Sequence, residues 1–277
     1  MPYIKVGTEK EMPINLYFED YGEGKPVVLI HGWPLSHRMW EYQIDALTEA
    51  GYRVIAYDRR GFGNSDKPWN GYDYDTLSND LKELLEALDL QDVTLVGFSM
   101  GGGEVARYFG QFGDERVAKA MLISAVTPYM LKTDDNPDGV PQETFDEFMQ
   151  NVSQDRIAFL GGFGKQFVNF DKGGEPVSED LLHYAKTIAS FASPRATKRC
   201  ITAFGETDFR PDMEKITVPT LVVHGDADQI VPIDVSAKQA HEMIEDSRLE
   251  VIEGAPHGLN FTHTEKLNDL MIEFLKS

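Results

Sequence analysis

Apolar runs of strand character and stretches of helical spacing take turns along most of the chain. Asn15 to Tyr21 favours a strand, and Pro26 to His31 is a continuous apolar run of the kind buried on both faces of a sheet. Met39 to Ala50 puts Trp40, Ile44 and Leu47 on one helical face and stops at Gly51, after which Arg53 to Tyr57 returns to strand character. Leu77, Leu81, Leu84, Leu85 and Leu88 mark a helix over Asp75 to Leu88. The strand Val93 to Gly97, a helix over Gly101 to Phe112 and the strand Val117 to Ser124 follow. Strands and helices alternating across short joins predict an α/β fold, a mostly parallel sheet with helices on both faces.

After Pro128 the alternation stops. Residues 128–218 show helical spacing near Gln142 to Gln150, Gln154 to Phe163, Ser178 to Phe191 and Pro194 to Phe204, with no sheet strand. So long a stretch is not a bare loop in a compact domain, and it reads as a helical cap inserted over one end of the sheet. Strands resume at Thr220 to His224 and Arg248 to Ile252, with helices from about Ile233 to Met243 and Thr264 to Leu275. The expected organisation is a core in two parts, 1–127 and 219–277, around a cap at 128–218.

Composition narrows the function. The 277 residues carry 46 acidic and 26 basic side chains, a formal charge of −20, which argues against a nucleic-acid partner. The surplus acid is expected on solvated faces such as Asp80 to Asp89 and Asp134 to Asp138. Cys200 is the only cysteine, so no internal disulfide and no four-thiolate zinc site can form. Neither a signal peptide nor a membrane span is evident, and a cytoplasmic location is expected. In that setting the triplets at Asn151 and Asn260 carry no glycosylation meaning.

Gly97-Phe98-Ser99-Met100-Gly101 fits the G-x-S-x-G pattern and falls between a β-branched strand and a glycine-rich helix start. There a serine is forced onto a sharp turn with its hydroxyl exposed above the sheet. Serine becomes nucleophilic only with a base, and the base needs a third group to orient it. Of seven histidines, His31 and His224 close strands ahead of glycine and are expected to shape loops. His37, His183 and His241 are expected on loop or helix surface, and His263 near the start of the last helix. His257, in Gly254-Ala255-Pro256-His257-Gly258, follows the last strand at its carboxyl end, where ligand sites form in open α/β sheets. Asp226 and Asp228 both follow the preceding strand; Asp226 suits a turn and Asp228 the triad, and spacing does not decide between them. For the oxyanion, the backbone N–H of Met100 and that of Trp33, on the loop after the 26–31 strand, are the expected donors. Pro34 has no N–H to give.

Other motifs are weaker. Gly61-Phe62-Gly63-Asn64-Ser65 lacks the third glycine and the lysine of nucleotide loops and reads as a structural turn. His241-Glu242-Met243-Ile244-Glu245 lacks the second histidine of a zinc helix, and Asp134 to Gly139 lacks the closing glutamate of a calcium loop.

The segments His31-Gly32-Trp33-Pro34, Asp58 to Ser65, Gly97 to Gly103, His224 to Asp228, Ala255 to Gly258 and Thr207 to Met213 together resemble the cofactor-free haloperoxidase group of α/β-hydrolases. That group includes bacterial aryl esterases with perhydrolase activity and relatives that open bicyclic γ-lactams. The resemblance covers nearly the whole chain and implies an α/β-hydrolase fold with the triad Ser99, Asp228 and His257. It also implies perhydrolysis: Ser99 is acylated, hydrogen peroxide replaces water in deacylation, and the released peracid oxidises halide without metal or haem. Pro34 is expected to reshape a nearby carbonyl that holds peroxide. Phe163, Phe204, Val126 and Ile230 are expected to line the acyl pocket with it. Assembly into trimers or hexamers is a further implication.

The expected activity is therefore hydrolysis of small aryl or short-chain esters, without cofactor. An amidase opening strained lactams is the enzymatic rival, separable by assaying aryl acetates beside a bicyclic lactam. From another class, a non-catalytic receptor could occupy the same fold, and failure of a fluorophosphonate to label Ser99 would mark it.

Overall fold

The computed structural model describes residues 2–172 and 177–277; Met1, and residues 173–176 within the expected cap, lie outside the described residues. Two N-terminal strands, β1 (Tyr3–Glu9) and β2 (Met12–Tyr21), pair antiparallel. The alternating part follows: β3 (Pro26–Ile30), α1 (Glu41–Glu49), β4 (Arg53–Tyr57), α2 (Tyr74–Ala87), β5 (Val93–Phe98), α3 (Met100–Phe112) and β6 (Val117–Ile123). After the inserted helices α4 (Gln142–Phe167), α5 (Glu179–Ser190), α6 (Pro194–Glu206) and α7 (Arg210–Met213) come β7 (Thr220–Gly225), α8 (Ala237–Met243), β8 (Ser247–Ile252), α9 (Leu259–Thr262) and α10 (Thr264–Lys276).

The eight strands form one sheet in the order β1-β2-β4-β3-β5-β6-β7-β8, parallel from β4 through β8. The central strands are buried on both faces, as their unbroken apolar runs require. α2 shows how a helix is seated: the Asp73 carboxylate caps it by accepting the Thr76 N–H at 2.9 Å, and Leu77, Leu81, Leu84 and Leu85 form its buried stripe.

Several expectations need correction. β1 was not expected, and β2 begins at Met12 rather than Asn15. The helices expected at 142–150 and 154–163 are both present and meet at the non-helical Asp155 (φ −149°, ψ 89°), whose carboxylate caps the second by accepting the Ala158 N–H; only the end differs, since the second runs on to Phe167. The helix expected from Ile233 begins at Ala237, after a 3₁₀ turn over Ile233–Val235. Asp80 is not on a solvated face: it is buried and receives both arms of the Arg60 guanidinium at 2.5 Å. Burial raises its pKa to about 6 against the opposing pull of Arg60.

Candidate active site

Four loops meet at the carboxyl edge of the parallel strands: those after β3, β5, β7 and β8. The tightest is β5 to α3. Ser99 sits there at φ 52°, ψ −117°, a backbone region that side chains rarely enter. The turn closes only with glycine beside it: a Cβ on Gly97 would lie 2.4 Å from the Gly101 carbonyl oxygen, and one on Gly101 would lie 2.4 Å from that of Ile30. Three hydrogen bonds hold the turn. Ser99 N–H donates to Ile123 O at 2.9 Å, while Ser99 O accepts from Gly102 at 2.9 Å and Val126 at 3.2 Å.

The loop after β8 brings His257 against this serine, with Nε2 2.9 Å from Ser99 Oγ. On the other side of the ring, His257 Nδ1 lies 2.7 Å from Asp228 Oδ2. Asp228 Oδ1 accepts from the N–H groups of Ile230 and Val231, both at 2.9 Å. Burial alone would raise the Asp228 pKa. The facing His257 and His224 outweigh it and hold the carboxyl well below the usual range, so it stays ionised. An ionised acceptor places the imidazole proton on Nδ1 and leaves Nε2 to accept from the serine hydroxyl. Asp226 takes the turn role expected of it, accepting the Gly254 N–H at 2.6 Å.

The imidazole is enclosed as well as hydrogen-bonded. Phe98 and Phe167 set their rings 5.2 and 5.1 Å from it. Ser124, at φ 45° after β6, donates from Oγ to the His257 carbonyl at 3.2 Å. Sequence reading missed Ser124 and Phe167, because only the tertiary fold brings residues so distant in the chain against His257.

On the β3 side, Trp33 is buried and donates from Nε1 to Thr197 O of α6 at 3.0 Å. Its ring packs on Phe163 and Phe204 at 5.2 and 5.4 Å. The residue before the Gly32-Trp33 pair, His31, accepts the Arg59 N–H on Nε2 at 3.0 Å and donates from Nδ1 to Gly32 O at 2.9 Å. Burial, with Arg59 adding to it, drives the His31 pKa down to about 3 and keeps the ring neutral. Beneath it Arg59 pairs with the fully buried Glu104 at 2.5 Å, and Glu104 also accepts from Tyr57. His31 and His224 thus shape loops as expected. His37 does not lie on the surface: it is buried, with Nδ1 2.7 Å from Asp58 and Nε2 3.3 Å from Glu19.

A narrow cavity opens above Ser99, and Val126, Phe163, Phe204 and Ile230 line it together with Trp33. Pro34 does not. It faces a second narrow apolar cavity with Leu160, Phe167, Leu181 and Phe261, where α4 and α5 pack over the turn in which Leu35 N–H bonds to Gly32 O. Phe163 borders both cavities and stands between them. Among the described residues no group of three or more His, Cys, Asp or Glu side chains is arranged to hold a metal ion. No helix among them is long and apolar enough to cross a membrane.

The sheet order and the nucleophile turn define an α/β-hydrolase, and the model of the alpha/beta hydrolase fold family matches residues 25–264; the chain belongs to that family. Within it the chain falls in the non-heme haloperoxidase group. It is 45% identical over 264 residues to a non-heme chloroperoxidase of Kitasatospora aureofaciens, covering 95% of this chain and 96% of the relative. A bifunctional esterase/perhydrolase of Acinetobacter calcoaceticus is 38% identical, with 95% and 97% covered. The crystal structure of a bromoperoxidase from Bacillus anthracis superposes with a TM-score of 0.96 at 52% identity, covering 99% of each chain.

Proposed function

We propose that the protein hydrolyses small carboxylic esters through an acyl-enzyme on Ser99 and transfers the same acyl group to hydrogen peroxide. The observation that carries this reading is the continuous line from Asp228 through His257 to Ser99, with its hydroxyl at the floor of a mainly apolar cavity. The relatives named as chloroperoxidase and as esterase/perhydrolase support it.

In this mechanism His257 Nε2 takes the Ser99 proton as Oγ attacks the ester carbonyl, and Asp228 stabilises the imidazolium that forms. The backbone N–H groups of Met100 and Trp33 receive the oxyanion. Met100 is the first residue of α3, where an N–H has no intrahelical acceptor. His257 then protonates the departing alkoxide, leaving acyl-Ser99. In the second half His257 deprotonates water or hydrogen peroxide, which attacks the acyl carbon. Ser99 leaves with its proton restored, and a carboxylic acid or a peracid is released. The peracid, not the enzyme, oxidises halide. Helices α4–α7 act as a cap (128–218) on the core (1–127 and 219–277), with Val126, Phe163, Phe204 and Ile230 shaping acyl selectivity. Trimeric or hexameric assembly belongs to the same reading and rests on the resemblance; a cytoplasmic location rests instead on the single cysteine and on apolar runs too short to span a bilayer.

The test pairs two assays: hydrolysis of an aryl acetate, and halogenation of a dye by acetate or ester, peroxide and bromide. Wild type is expected to do both, and Ser99→Ala neither. Dye halogenation surviving in Ser99→Ala would refute a peracid made on Ser99.

A further inference from the structure

We propose that His224 is a positioning residue for this chemistry: a second histidine on the Asp228 carboxylate, which fixes that carboxylate and shares its charge with His257. The inference rests on the hydrolase reading of Ser99, Asp228 and His257.

His224 is fully buried on β7. Its Nε2 lies 2.8 Å from Val231 O and 3.2 Å from Asp228 Oδ2. Both neighbours are acceptors, so the ring proton sits on Nε2: it is donated to Val231 O, and Asp228 Oδ2 lies close beside it. Nδ1 has no hydrogen-bond partner among the described residues. A proton on Nδ1 instead would bury an N–H with nothing to receive it.

This arrangement does two things. The bond to Val231 O ties the end of β7 to the far side of the loop that carries Asp228. The same N–H lies beside the carboxylate oxygen that His257 uses, with Nε2 3.2 Å from Oδ2, while Oδ1 is held by Ile230 and Val231. With both oxygens engaged, the carboxylate cannot rotate away from His257. The His224 N–H also draws negative charge off Oδ2. Without it the carboxylate would stabilise the His257 imidazolium more strongly, and His257 would become free to act as a base only at higher pH. The ionisable groups that meet here are His224 from β7, Asp228 from the loop after it and His257 from the loop after β8. Ser99 from β5, Ser124 from β6 and Phe167 from α4 bring only hydroxyls and an apolar ring.

A matched pair of variants isolates the hydrogen bond. His224→Gln keeps an N–H at the position of Nε2, and His224→Met has the same length without a donor. The pH dependence of kcat/KM for an aryl acetate is the readout. His224→Gln is expected to keep the acid limb near wild type, and His224→Met to move it up by about half a pH unit or more. Coincident limbs in the two variants would overturn the proposal and leave His224 a packing residue. Should His224→Met not fold, histidine ¹⁵N NMR of the wild type decides: an Nε2–H ring for His224 is expected, and an Nδ1–H ring overturns the proposal. Fluorophosphonate labelling of Ser99 in the same wild-type samples shows separately whether the hydrolase reading has failed.

Discussion

The N–H of Gly258 donates to the carbonyl of Phe167 at 2.6 Å, tying the loop that carries His257 to the last turn of α4. Two residues on, Asn169, at φ 51°, donates from Nδ2 to Ala227 O at 2.9 Å and so holds the Asp228 loop as well. The end of α4 is thus part of the frame that aligns Asp228 with His257. Asn169→Ala removes the side-chain bond and puts a less tolerant residue at positive φ. A loss of about 1–2 kcal/mol in stability is expected, with kcat down several-fold and KM little changed. Thermal melts and steady-state kinetics check both, and unchanged kcat would show that the clamp does not reach the site.

Phe163 divides two apolar spaces of similar size. Phe163→Ala should join them and shift preference from acetate toward longer acyl esters, at about 3 kcal/mol of stability. Relative kcat/KM across a C2 to C8 aryl ester series reads the shift, and an unchanged profile would mean that the partition does not limit chain length.

His31 should set part of the acid sensitivity. Its pKa is about 3 in the fold and about 6.5 in an unfolded chain. Below the unfolded value the unfolded chain takes up a proton that the native state refuses. The contribution of His31 is therefore fully present above about pH 6.5 and is lost as pH falls toward 3. His31→Gln should flatten the dependence of unfolding free energy on pH between about 6.5 and 4. Parallel curves for variant and wild type would contradict this.

The Arg59–Glu104 pair is buried on both sides. Removing one member strands a charge, so Glu104→Met should cost about 3–5 kcal/mol, whereas Arg59→Met with Glu104→Met should cost less than the two single changes summed. Denaturant melts of the four proteins test this, and strict additivity would rule out coupling.

The sheet and the site differed in how far they could be read from the chain. β3, β5 and β7 announce themselves because strands buried on both faces must be apolar throughout, and glycine at 97 and 101 is forced by close backbone approach. β1 was missed because it is an edge strand in which Val6 alone is buried, leaving almost no pattern to detect. Asp80 and His37 were misplaced on the surface because their partners, Arg60 and Asp58, are 20 and 21 residues away and only the fold sets them opposite. The separation of Pro34 from the Ser99 cavity depends on how α4 and α5 pack, which no local spacing encodes.

The central claim is that Ser99 becomes acylated. Rapid quench of the protein with an activated aryl ester, followed by peptide mass analysis, measures this directly. A mass increase of one acyl group on the peptide containing Ser99 is expected, slower to clear in His257→Gln and absent in Ser99→Ala. Turnover with no acyl group on Ser99, or with the acyl group on another residue, would contradict the account.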